Sequence, residues 1–102
     1  MSKNIYYTGM NFGDLLAKYR KRSGLSKTDL AKEIDVTIGY ILNLEAKRRK
    51  PPTYDLCEKL AAIFRLNRTE RHYFFARAFF ERAKPEEKKF IRELKLDVPD
   101  EE

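Results

Sequence analysis

The chain has 102 residues, is 42% hydrophobic and carries a net charge of +6, enough for one domain with a modest core. Its one cysteine, Cys57, excludes a disulfide scaffold and fits a reducing, cytoplasmic setting. No stretch approaches the roughly 20 apolar residues of a membrane span, and the opening "MSKNIYYTGMNF" lacks a signal peptide's apolar run.

Residues 1–11 read as an arm, with Ile5, Tyr6 and Tyr7 apolar enough to fold back in part. Asn11 is placed to cap a first helix, with Asp14 in its first turn favoured by the helix dipole. Phe12, Leu15, Leu16 and Tyr19 follow the i, i+3, i+4, i+7 pattern of one buried face. "SGL", Ser23 to Leu25, ends that helix, with Gly24 in the left-handed position. Ser26 caps a second helix and Asp29 completes a short capping box; Leu30, Ala31 and Ile34 face inward. In "DVT", Asp35 tolerates a left-handed turn, Val36 plugs the core and Thr37 caps a third helix. That helix buries Ile41 and Leu44 and ends near Ala46–Lys47, before "KRRKPP".

A fourth helix is expected from Thr53 to Phe64, with Leu56, Leu60 and Ile63 inward. "NRTE", Asn67 to Glu70, is a capping box opening a fifth helix to about Ala83, rich in aromatics: Tyr73, Phe74, Phe75, Phe79 and Phe80. Pro85 suits the first position of a sixth helix, whose apolar stripe is Phe90, Ile91 and Leu94. "DVPDEE" is an acidic tail. The chain is therefore expected to be all-α. Its charge is uneven: residues 1–50 hold 11 Lys+Arg against 5 Asp+Glu, and residues 51–102 hold 11 against 11. A basic first half points to a polyanion partner and leaves the second half for another task.

Two short helices with a tight turn form a helix-turn-helix, whose second helix can lie in the DNA major groove. "GLSKTDLAKEIDVT", "ILNLEAKRRKPP" and "LCEKLAAIF", in that order and spacing, resemble the lambda-repressor-like (Cro-type, or XRE) helix-turn-helix family of bacterial and phage regulators. The resemblance runs from about Phe12 to Phe64. It implies a five-helix lambda-repressor-like domain with an extra C-terminal helix: arm 1–11, DNA-binding domain 12–66, helical extension 67–96 and acidic tail 97–102.

The resemblance also implies roles. Arg20 and Glu45 match a pair that joins the first helix to the end of the recognition helix. Ser26 and Lys27, with Lys47, Arg48, Arg49 and Lys50, would hold DNA phosphates. Bases would be read by the exposed face of the third helix: Thr37, Ile38, Gly39, Tyr40, Leu42 and Asn43. Asn43 could pair with adenine and Ile38 could pack on a thymine methyl, which suits A·T-rich sequence. Asp35 and Lys47 stand where the family commonly has glycine.

The aromatic fifth helix either completes the core or forms a homodimer interface through Phe75, Phe79, Phe80 and Phe90, since such proteins commonly bind two-fold sites as dimers. His72 stands without a second ligand and Cys57 without a histidine partner, so no metal, cofactor or catalytic activity is expected. The leading reading is a sequence-specific transcriptional regulator, a repressor on a palindromic operator, with double-stranded DNA and a second copy as partners. The alternatives are a protein-interaction module, such as an antitoxin or accessory factor using the fifth helix, and a nonspecific DNA binder.

Overall fold

A computed structural model of the chain describes residues 10–93, with no side-chain detail beyond Phe90. The expected arm residues Ile5, Tyr6 and Tyr7, the Ile91 and Leu94 side chains and the acidic tail lie outside the described part. The fold is all-helical: α1 Phe12–Arg22, α2 Lys27–Glu33, α3 Ile38–Glu45, α4 Tyr54–Phe64, α5 Arg68–Arg82 and α6 Pro85–Glu93.

The helices start where short polar side chains can accept backbone N–H groups. Asn11, Ser26 and Asn67 form reciprocal capping boxes with Asp14, Asp29 and Glu70, and Thr37 Oγ1 accepts from Tyr40 N at 3.1 Å. Thr53 occupies the same position before α4 but makes no side-chain cap bond.

Four helices end by one device. Gly24, Asp35, Lys47 and Arg65 all have positive φ, between 54° and 75°. In each case the next residue's N–H returns to the carbonyl five residues back: Leu25 to Arg20, Val36 to Ala31, Arg48 to Asn43 and Leu66 to Ala61. This is the Schellman closure, which satisfies carbonyls that the helix leaves open. Only one of the four left-handed residues is glycine, so three turns carry a conformational cost.

The core draws on α1 to α5. Phe12, Leu15, Leu16 and Tyr19 of α1 meet Leu30, Ile41, Leu44, Cys57, Leu60 and Phe64, and all are nearly or fully buried. Phe74 of α5 is fully buried; its ring centroid lies 4.8 Å from Phe12, 6.1 Å from Tyr19 and 6.3 Å from Phe64. The fifth helix is thus a wall of the same core as the first four. Burial pushes the Cys57 thiol up to about 12, so it stays protonated and behaves as a small core residue. Phe80 and Ala83 form a small second cluster between α5 and α6.

Gly13 lets α1 and α3 approach closely. A Cβ built there would lie 2.6 Å from the Leu44 carbonyl oxygen and 3.2 Å from that of Glu45. Because these are backbone atoms, the last turn of α3 would have to move. We expect Gly13→Ala to lower the midpoint of thermal unfolding. The overpacking cost of about 1–3 kcal/mol exceeds the helix-propensity gain of at most about 1 kcal/mol.

Candidate nucleic-acid interface

Helices α2 and α3 are joined by the turn Ile34–Thr37, closed by Asp35 at φ 60°. Inward, α3 commits Ile41 and Leu44 to the core. Its other face is open: Thr37 is exposed, Ile38 and Leu42 are 44% and 41% exposed, and Gly39, Tyr40 and Asn43 are half-buried.

The direction of α3 is set by one guanidinium. Arg20 Nε donates to Glu45 Oε2 at 2.6 Å and Nη2 to Glu45 Oε1 at 3.2 Å, a bidentate pair. Arg20 Nη1 donates to the Leu25 carbonyl at 2.9 Å. Both charged side chains are only 9% exposed. One side chain therefore joins α1, the α1–α2 connection and the last turn of α3.

Gly39 is informative because the protein itself makes no use of it. An added Cβ would meet nothing nearer than Thr37 Oγ1 at 3.9 Å. Its φ is not in the left-handed region. Glycine is a poorer helix former than alanine, and here, in the first turn of α3, neither packing nor turn geometry asks for it. What the missing side chain provides is clearance on the outer face.

The four cations of the basic loop are all exposed, and three are held against the fold. Lys47 Nζ lies 2.9 Å from Asp14 Oδ1. Arg48 Nε donates to Asn43 Oδ1 at 3.1 Å. The Arg49 guanidinium sits 4.9 Å from the centroid of the Tyr40 ring. Burial raises the Tyr40 hydroxyl above its usual range, against the opposing pull of Arg49, so the phenol remains a proton donor. The loop is anchored at its far end by Pro51 and Pro52, both buried, with Cys57 Sγ donating to the Pro52 carbonyl at 3.6 Å. Ser26 is exposed and Lys27 half-buried at the start of α2; the Ser26 Oγ already accepts from Asp29 N.

The aromatic set of the second half separates. Phe80 is 3% exposed and lies beneath the Arg77 and Lys88 side chains, so it offers no surface to a partner. Its rotation on α5 turns it toward α6 instead of outward. Phe75 is half-buried, against Tyr54 at 5.3 Å and Arg71 at 4.8 Å. Phe79 and Phe90 are 56% and 60% exposed and line a cleft of about 360 Å³ with Arg82, Ala83 and Glu87.

The close approach at Gly13 and the pairs Asp14–Lys47 and Asn43–Arg48 do not emerge from the sequence pattern. A glycine one residue after an N-terminal aromatic in an otherwise apolar-periodic helix was the available signal for the first. The other two pairs span separate elements or a non-helical turn.

A family model described as a helix-turn-helix domain matches residues 11–74, more than half of the chain. No curated protein and no solved structure matches it.

The Arg20–Glu45 pair generates a test. Replacing either partner by methionine strands a nearly buried charge and is expected to cost about 3–5 kcal/mol in urea unfolding. The double replacement is expected to lose clearly less than the sum of the two. Additive losses would show that the two charges do not stabilise each other.

Proposed function

Because the chain belongs to the helix-turn-helix domain family, a family of DNA-binding domains, we propose that it is a sequence-specific transcriptional regulator of the lambda-repressor-like branch. In this reading α3 enters the major groove and presents Thr37, Ile38, Gly39, Tyr40, Leu42 and Asn43 to base edges. Lys47, Arg49 and Lys50, with Ser26 and Lys27, hold phosphates on either side. The protein acts in the cytoplasm as a repressor, by occupying its operator.

The observation that carries the reading is Gly39. A glycine in the first turn of α3, on its outer face and with nothing within the protein to require it, suits a helix that must approach another surface closely. The adjoining loop of four exposed cations makes a polyanion the fitting surface. The fixed geometry of α3 on Arg20 supports the same conclusion, because base reading demands a helix held in one orientation.

A second copy completes the reading. Phe79 and Phe90, both more than half exposed, would pair two chains, and two reading helices would then meet a palindromic site. Two other readings remain as outcomes of the test: a nonspecific binder, and a module whose partner is a protein seated on α5 and α6.

Selection of bound duplexes from a random library near physiological salt tests the proposal. An enriched two-fold-symmetric site is expected. Retention without enrichment would mean phosphate holding alone, and no retention would shift the function to a protein partner. Once a site is known, Arg49→Ala with Lys50→Ala should weaken binding to all sequences alike. It should also lower the log–log salt slope by about 1–2, since each phosphate contact contributes roughly 0.9. An unchanged slope would remove both residues from the phosphate set.

A further inference from the structure

The left-handed residue at the end of α3 places two side chains together that helical spacing would keep apart. Lys47, at φ 64°, turns the chain. Arg48 N then donates to the Asn43 carbonyl at 2.9 Å, and Lys47 N to that of Leu44 at 3.2 Å. In this closure the residue after the left-handed one sits over the residue five positions before it, and the pair is commonly apolar. In the other three closures the residue after the left-handed one is apolar: Leu25 and Val36 pack against the core and Leu66 is buried in it. Only at α3 does a charged residue, Arg48, take that position. Its side chain turns back onto Asn43, with Nε 3.1 Å from Oδ1.

The chemistry of this contact fixes the Asn43 amide. A guanidinium has donors only, so the atom it meets must be the amide oxygen. The amide NH2 is left with both protons to give. Adenine recognition by asparagine needs both halves of the amide: the oxygen must accept from N6 while the nitrogen donates to N7. Here the Arg48 guanidinium takes one of the oxygen's two lone pairs, so an adenine N6 amino group, itself a donor, would have to share the oxygen with a cation and lie beside its N–H groups. The remaining guanidinium N–H groups and the Asn43 NH2 together form a donor-only surface. Guanine is the base whose major-groove edge offers two acceptors, N7 and O6.

We propose that Arg48 is a specificity-determining positioning residue that holds Asn43 as a donor, so that the pair selects guanine and rejects adenine. The inference rests on the DNA reading of α3 given above. It narrows the expectation drawn from sequence, in which Asn43 pairs with adenine and Arg48 holds only a phosphate.

The test compares library selections with the intact chain and its Asn43→Ala, Arg48→Ala and Lys50→Ala variants, each checked for native helix content by circular dichroism. Asn43→Ala identifies the position that Asn43 reads, as the one whose preference disappears. At that position the intact protein is expected to favour guanine over adenine by roughly tenfold or more. Arg48→Ala is expected to reduce that preference to about threefold or less and to admit adenine. Lys50→Ala is expected to weaken binding with every preference intact. Adenine or thymine at that position in the intact protein, guanine preference unchanged by Arg48→Ala, or an Asn43→Ala pattern identical to the intact one would overturn this inference alone. No retention, or retention without enrichment, would overturn the DNA-reading proposal and this inference with it.

Discussion

The Arg20 guanidinium is the fixed point of this structure. Helix α3 has eight residues and fully buries only Ile41 and Leu44, with Tyr40 partly packed against the core. A helix so short has little stability of its own and depends on tertiary contacts. Two aliphatic side chains and part of one ring anchor it but carry no directional bond. The bidentate bond to Glu45 supplies direction, because two parallel N–H···O bonds constrain angle as well as distance. The third bond, to the Leu25 carbonyl, holds the same guanidinium against the connection that leads into α2. Such a pair is weak as a net source of stability, since desolvation of the two charges offsets much of their attraction. Its value lies in allowing one arrangement of α3 on α1. Gly13 makes that arrangement possible, since a side chain there would collide with the α3 backbone.

The same economy runs through the rest of the domain. Four helices stop by the same left-handed turn, and three such turns use a residue with a side chain. Asp35, Lys47 and Arg65 accept a conformational cost that glycine would avoid. For Lys47 there is a visible compensation, because its amine reaches Asp14 in the capping box of α1. The start of α1 and the end of α3 are thereby joined through both backbone approach and charge. The basic loop that follows is closed by buried Pro51 and Pro52. Its cations are therefore displayed from a held segment, which reduces the ordering cost of any anion contact.

Much of this was legible in the sequence, for a local reason. Asn11, Ser26, Thr37 and Asn67 are short polar residues placed just before apolar periodicity, and each caps a helix as that pattern requires. Gly24 and Asp35 were readable as left-handed residues on chemistry alone. The fifth helix was harder. It carries aromatic or alanine side chains almost all around, so periodicity could not say which would face the core. Phe74 is inside, Phe80 is buried against α6 and Phe79 is outside, a difference set by how α5 lies on α1 and α4. The Asn43–Arg48 contact was out of reach for another reason. Residues five apart do not face each other on a helix, and they meet here only because the chain reverses at Lys47.

On the proposed DNA reading, the polarity of the outer face of α3 bears on how discrimination arises. Ile38 and Leu42 hold much of the exposed area of α3, and apolar contacts distinguish bases chiefly through the thymine methyl. Phosphate contacts add affinity but carry no direct sequence information. One copy would then rest its polar discrimination largely on the Asn43–Arg48 pair, and a good bidentate contact contributes only about 1–3 kcal/mol. That is small against the 4–10 kcal/mol that separates specific from nonspecific binding in typical regulators. Joining two copies would double the per-site term without adding a new kind of contact. On the proposed DNA reading, so sparse a face is better suited to a chain that binds in pairs. Among the described residues, Phe79 and Phe90 are the exposed aromatics of α5 and α6 that the proposed pairing would use, because Phe74 and Phe80 are buried within the chain.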